Sequence, residues 1–491
     1  MQKLSRLLSS IITEEITGGI TADDMVVTAL TADSRRVVPG AMFVAVRGPV
    51  SDGHDYIPAA ISAGAAAIVC EDFPTDIVTG VKWIKVSNAA VALGYLASEW
   101  YDNPSRHLTL VGVTGTNGKT TIATLLYEMA RLSGMKAGLL STVENRVEDK
   151  VYPAVNTTPS PLETNRLLAE MVDEGCQFAA MEVSSHGMVQ HRTAGLRFRG
   201  GIFTNLTRDH LDYHGTFKAY LEAKKSFFDL LPSDAWALTD ADDANGSVMV
   251  QNTRARRLTY SIRGEADFRG RVIESRIDGM TLNLNGIEIE TPFAGRFNAS
   301  NLTAVFGAAV TLGADPCDAA VNISRLVPVA GRFQTFTSAD GVTVVVDYAH
   351  TPDALANVLS TIADTLGGRG QIITVTGAGG NRDHGKRPLM GETASRYSSR
   401  IIVTSDNPRD EDPATIADDI VSGITGENLT VTVILDRATA IAAAVAGANP
   451  GDVVLVAGKG HETYQEFENR RRIHFDDREE ALKAISARNN H

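Results

Sequence analysis

The segment from Leu108 to Leu132 constrains the fold more tightly than any other part of the chain. Leu108-Thr109-Leu110-Val111-Gly112-Val113 is an apolar run of strand length. Thr114-Gly115-Thr116-Asn117-Gly118-Lys119-Thr120-Thr121 is a glycine-containing turn, and Ile122–Leu132 carries apolar residues at helical spacing. A loop between a strand and a helix aims several backbone N–H groups at one anion, and the helix N-terminus adds its positive partial charge. Lys119 is then expected to meet the β- and γ-phosphates of a nucleotide, and the Thr120 hydroxyl to bind Mg2+. The common spacing G-x-x-x-x-G-K-[ST] needs a glycine where this chain has Val113, so the loop is a variant form.

Around this unit, strand-like and helix-like segments alternate over almost the whole chain, which is the pattern of α/β layers. The 491 residues exceed one ordinary domain of ~100–200 residues, and three are expected. Turn chemistry at Asp102-Asn103-Pro104-Ser105 and a break near Pro328–Gly331 divide the chain into residues 1–105, 106–328 and 329–491. The last part offers buried-strand candidates at Val342–Val346, Gln371–Thr376, Arg400–Thr404, Val431–Leu435 and Asp452–Val456. A doubly wound sheet is the economical arrangement for them.

Bulk composition removes several classes. Apolar residues at 43% and charged residues at 21% fit a globular protein and exclude long disorder or collagen-like repeats. Forty-six basic against 59 acidic residues leave a formal charge of −13, which opposes general nucleic-acid binding but permits a locally positive pocket for an anionic ligand. The three cysteines, Cys70, Cys176 and Cys317, have no paired spacing, so free, buried thiols in a reducing compartment are expected. Leu4, Leu7, Leu8, Ile11 and Ile12 follow helical spacing and predict an amphipathic helix rather than a secretory signal. The run Ala59–Cys70 is too short to span a bilayer, so no membrane insertion and a cytoplasmic location are expected.

The loop form T-G-T-N-G-K-T-T resembles that of the Mur ligases, ATP-dependent amide-forming enzymes that extend the peptide stem of the peptidoglycan precursor. The resemblance continues through Asn156-Thr157-Thr158-Pro159, Met181-Glu182-Val183-Ser184-Ser185-His186-Gly187, Gln190-His191-Arg192, Thr204–Gly215, Asp347–Pro352 and Gly458-Lys459-Gly460-His461-Glu462. It implies three α/β domains: an N-terminal uridine-nucleotide-binding domain, a central ATPase-like domain with the phosphate loop, and a Rossmann-like C-terminal domain. It also implies a monomer that uses ATP and Mg2+ and adds an amino acid to a UDP-N-acetylmuramoyl peptide through an acyl phosphate.

By the same resemblance, Gly115, Thr116, Asn117, Gly118, Lys119, Thr120 and Thr121 bind ATP together with Asn298, Asn301, Arg332 and Asp347. Thr120, Glu182, His210 and Lys224 hold the metal, and Lys119, Glu182, His210 and Lys224 serve catalysis. In the segment Tyr220–Leu231, Lys224 shares a helical face with Phe227, Phe228 and Leu231, whereas Lys225 turns toward Asp229. A desolvated lysine has a neutral amine that can take up CO2, and the family's corresponding lysine is carbamylated. Ser34, Asn156, Thr157, Thr158, Ser184, Gln190 and Arg192 match the positions that contact the nucleotide-sugar peptide. Pro49-Val50-Ser51 stands where other members have more polar residues.

The turn Asp406-Asn407-Pro408-Arg409 follows a strand and presents an arginine fork suited to a carboxylate. By the resemblance, this turn has the pattern of members that add meso-diaminopimelate, and Arg382, Gly458 and Glu462 complete the amino-acid pocket, which implies UDP-N-acetylmuramoyl-L-alanyl-D-glutamate as acceptor. An L-lysine-adding relative and a folylpolyglutamate-synthetase-like ligase are the neighbouring alternatives; a P-loop kinase or nucleotide switch is the alternative of a different class. Structural readings compete at single residues: an ion pair for Glu182, a cap or surface role for His210, a snorkelling stem for Lys224, helix caps for Asn298 and Asn301, a plain loop for Ser34, and solvated side chains for Lys119 and Arg409.

Overall fold

Alternate residues of a strand face opposite sides of its sheet, and three sheets of this chain are apolar on both faces. The computed structural model describes residues 1–18, 25–48, 51–426 and 429–490. Of the segment Pro49-Val50-Ser51, Pro49 and Val50 lie outside the described residues.

The first sheet has five strands in the order Glu15–Thr17, Lys82–Lys85, Ala67–Cys70, Met42–Val44, Leu30–Thr31, parallel except for the first pair. Met42, Val44, Val69 and Ile84 pack with Leu4, Leu7 and the helix Ala89–Trp100. Phe43, Ile68, Cys70 and Trp83 pack on the opposite face. The N-terminal helix is shorter than its periodicity predicts and covers only Leu4–Leu8. The Ser9 and Ser10 hydroxyls donate to the carbonyls of Arg6 and Leu7, competing with helix propagation, and Ile12 is left exposed. This unit meets the middle of the chain where Leu162 joins its core and the Arg197 N–H donates to Ser105 Oγ at 3.0 Å.

The middle sheet has eleven strands. Thr109–Thr114 lies at its centre, hydrogen-bonded in parallel to Phe178–Glu182 on one side and Gly200–Phe203 on the other. The chain leaves this strand for Ala137–Leu140, returns to fill the gap with Phe178–Glu182, then crosses to the other side with Gly200–Phe203. Such a reversal of winding opens a crevice at the carboxyl ends of the strands, where the phosphate loop emerges. Antiparallel strands finish both edges.

The last sheet runs Gln334–Thr337, Thr343–Asp347, Val453–Ala457, Ile372–Thr376, Arg400–Val403, Thr430–Val433, with only the first pair antiparallel. Four of the five strands predicted here are buried. The fifth, Thr430–Val433, is an edge strand with Val433 46% exposed, because strand order, which local sequence does not encode, puts it outermost. Cys70 and Cys176 are buried as expected, whereas Cys317 is exposed in the first turn of the helix Pro316–Ser324. Among the described residues no helix is long and apolar enough to cross a membrane.

Candidate active site

The phosphate loop is shaped by close packing against Thr204–Thr207. The N–H groups of Thr116 and Asn117 donate to Asn205, through its carbonyl at 2.8 Å and its Oδ1 at 2.9 Å. Thr204 Oγ1 donates to the Asn117 carbonyl at 2.6 Å. Two glycines make this approach possible. A Cβ on Gly115 would lie 1.8 Å from Thr204 Oγ1; one on Gly118, whose φ is +86°, would lie 2.6 Å from Asn301 Oδ1. Gly118 then starts the helix Lys119–Leu132. Lys119 Nζ donates to the carbonyls of Gly115 and Thr116, and burial lowers its pKa against the opposing charges of Glu182 and Asp209.

Glu182 ends the strand Phe178–Glu182 and is fully buried. Its two oxygens accept from the N–H and the hydroxyl of Thr142, at 2.7 and 3.2 Å. Among the described residues no basic side chain forms an ion pair with it. A buried carboxylate solvated only by a neutral residue suits a cation, and a carboxylate with a hydroxyl and room for phosphate oxygens suits Mg2+. His210 lies in the loop beyond the strand Gly200–Phe203, at φ +54°, ahead of the short helix Leu211–His214. Its ring packs edge-on against His186 at 4.8 Å, and burial keeps its imidazole neutral despite the neighbouring Asp209 carboxylate.

Lys224 turns inward as the helical spacing predicts. It is 1% exposed, donates to the Gly115 carbonyl at 2.7 Å and lies 4.6 Å from the centre of the Tyr220 ring. Burial, reinforced by the charge of Lys119, holds its pKa well below that of an ordinary amine. Lys225 pairs instead with Asp229 at 2.7 Å.

On one wall, Thr158 Oγ1 donates to the Glu182 carbonyl and accepts from the Ser184 N–H, both at 2.9 Å. Ser184 caps the helix Ser185–Val189. Arg192 bonds the Thr158 carbonyl at 2.6 Å and Gln190 Oε1 at 2.7 and 3.0 Å. The facing wall comes from the last sheet. Arg332 lies over the Tyr348 ring at 4.2 Å and donates to Thr120 Oγ1 at 3.2 Å. Asp347 accepts from the N–H groups of Phe333 and Ala349, and burial raises its pKa against the charge of Arg332. Asn117 Nδ2 donates to Asp353 Oδ2 at 3.2 Å, so the phosphate loop already touches the C-terminal unit.

Both walls line one cleft of about 1340 Å³. It brings together Thr116, Asn117, Gly118, Lys119, Thr120, Thr121, Asn301, Arg332 and Asp347; Glu182, His210 and Lys224; Asn156, Thr157, Thr158, Ser184, Gln190 and Arg192; and Arg382, Asp406, Asn407, Arg409, Gly458 and Glu462. Four predicted residues are not on its surface. Gly115 lies behind the loop against Thr204, and Asn298 bonds to the Ala294 carbonyl and to Asn301. Pro408 is buried within the turn, and Ser34 starts a short helix of the first unit. The cleft also holds Asp209, His350, Asp353 and Lys386, which sequence reasoning did not single out. Asp209 and His350 stand inside the segments Thr204–Gly215 and Asp347–Pro352, close to His210 and Asp347.

A phosphate loop at a winding reversal thus faces a second α/β unit that lines the same cleft with both cationic and anionic side chains. Residues 26–101 match the Mur ligase family catalytic domain, 113–309 the Mur ligase middle domain, and 331–460 the Mur ligase glutamate ligase domain. The chain belongs to the Mur ligase family. It is 54% identical to the UDP-N-acetylmuramoyl-L-alanyl-D-glutamate--2,6-diaminopimelate ligase of Bacteroides thetaiotaomicron, over 98% of this chain and 99% of that one. A solved structure of a ligase of that name superposes with a TM-score of 0.71 at 32% identity, covering 100% and 99% of the two chains. The MurF ligase of Thermotoga maritima in complex with ADP shares the fold, with a TM-score of 0.62 at 20% identity over 95% and 99% of the chains.

Proposed function

We propose that this protein joins meso-diaminopimelate to UDP-N-acetylmuramoyl-L-alanyl-D-glutamate at the expense of ATP, as a step of peptidoglycan synthesis. The observation that carries the proposal is that one cleft is shared by a phosphate loop, the wall Thr158–Arg192 and the turn Asp406–Arg409 with Glu462. The relatives' names supply the substrates, and the ADP complex of the fold relative supports ATP as the nucleotide. Residues 1–105, 106–328 and 329–491 are the proposed domains, for the uridine nucleotide, for ATP and for the amino acid, in a cytoplasmic monomer.

In this reading the γ-phosphoryl group passes from ATP to the acceptor carboxylate. The amine of diaminopimelate then attacks the acyl phosphate, releasing phosphate and forming the amide. Lys119 and the loop N–H groups orient the phosphates, and Arg332 reaches the same region from the facing unit. Thr120, Glu182, His210 and Lys224 as its carbamate would hold Mg2+, which when bound neutralises negative charge gathering on the phosphates. Arg192, Gln190 and Thr158 fix the peptide, and Arg409 and Glu462 take the carboxylate and ammonium at the far end of diaminopimelate. Contacts such as Asn117 with Asp353 keep the two walls together, excluding water from the acyl phosphate.

ADP release measured with the amino acid varied tests this. Release should depend on UDP-N-acetylmuramoyl-L-alanyl-D-glutamate and be much faster with meso-diaminopimelate than with L-lysine. Comparable kcat/KM for the two amino acids would overturn the specificity.

A further inference from the structure

Lys459 is fully buried and stands outside the roles assigned above. Its ammonium donates to Asn407 Oδ1 at 2.9 Å and Glu462 Oε2 at 3.2 Å, and lies 3.4 Å from Asp406 Oδ1. Asn407 Nδ2 donates to the same Glu462 oxygen at 2.8 Å. One cation is thus shared by the turn after the strand Arg400–Val403 and the loop after the strand Val453–Ala457, which are separated in the sheet by Ile372–Thr376.

Two carboxylates and one ammonium leave this hydrogen-bonded group one negative charge in excess. Arg437 does not cancel it, because its guanidinium is matched by Asp477 at 2.7 Å. Burying a carboxylate without a cation is costly, so a group with one unmatched charge at a cleft is poised to receive one.

We propose that Lys459 is a positioning residue for the amino-acid substrate: it ties the Asp406–Arg409 turn to Glu462, setting the spacing of the carboxylate and ammonium receptors, and it balances only one of the two acids. This rests on the reading that Arg409 and Glu462 hold the far end of diaminopimelate. The groups facing Glu462 are Asp406, Lys459, Arg437, Tyr348, Tyr464 and Arg472. Burial and Asp406 raise the Glu462 pKa, and Lys459 opposes them. Removing Lys459 takes away the charge that opposes them, so the Glu462 pKa rises further and the acid is more protonated at a given pH than in the parent.

Lys459→Met and Lys459→Gln test this in the full-length protein, the second retaining a hydrogen-bond donor without the charge. Both should lower kcat/KM for diaminopimelate by roughly 30-fold or more at pH 7, mainly through KM, and both should regain part of the loss by pH 8.5. Positional isotope exchange in ATP, which reads acyl-phosphate formation with UDP-N-acetylmuramoyl-L-alanyl-D-glutamate and no amine, should fall far less. Equal losses in exchange and amide formation, or a pH profile parallel to that of the parent, would overturn the proposal. Failure of the underlying reading shows separately, as a parent protein that does not prefer diaminopimelate to L-lysine.

Discussion

Gly118 and Gly134 flank the same helix, both with left-handed backbones, and they make a matched pair for testing how the phosphate loop is held. At Gly118 φ is +86°, and an added Cβ would lie 2.6 Å from Asn301 Oδ1; at Gly134 φ is +78°, and the Cβ would meet nothing within 4 Å. Alanine at Gly134 therefore carries only the conformational cost, roughly 1–2 kcal/mol. Alanine at Gly118 carries the same cost and must also displace the buried Asn301 carboxamide, weakening its 3.3 Å bond to Asn298 by about 1 kcal/mol. Gly118→Ala should destabilise the middle unit by about 2–3 kcal/mol, and the shifted loop should raise the KM for ATP by roughly tenfold, about 1.4 kcal/mol. Urea denaturation and the KM for ATP, measured on both variants, check this. Equal stability losses in the two, or a Gly118→Ala variant with parental KM for ATP, would refute the claim that close approach to Asn301 sets the loop.

Lys224→Ala should abolish most activity, and a short-chain carboxylate added to the assay should restore part of it; activity that does not return counts against a carbamate at that position. Arg437→Met should lower stability by about 3–5 kcal/mol by stranding Asp477, while Arg437→Met with Asp477→Leu should recover most of it, read from thermal melting. Burial and the charge of Arg332 push His461 down to about 2, and its Nδ1 has no hydrogen-bond partner among the described residues. The unfolded chain, with a histidine pKa near ~6.5, then binds more protons than the folded one below that pH, so stability falls as the pH drops from 6.5 to 5. His461→Gln should flatten this fall, and thermal shift at the two pH values measures it.

The strand, loop and helix around Lys119 were legible because all three signals are local, and Lys224 because a 3.6-residue period decides which of two adjacent lysines faces inward. The exposure of Thr430–Val433 was not, since edge position depends on strand order. The packing of His210 against His186 was not legible either, since the two rings come from separate segments that meet only in the folded chain. Lys459 was hidden for a related reason: Asp406 and Asn407 lie some fifty residues earlier in the chain and reach it only through the sheet. Ser34 matches a ligand-binding pattern; it begins a short helix of the first unit and does not line the cleft.

The pair Arg437–Asp477 has a reach beyond its own unit's stability. Asp477 opens the helix Asp477–Asn489, and Arg437 also donates to the carbonyl of Ala457, the residue before Gly458. A fusion partner or deletion that frays this distal helix would therefore be felt first as weakened capture of the incoming amino acid. The phosphate loop, seated on the middle sheet, would keep its geometry longer.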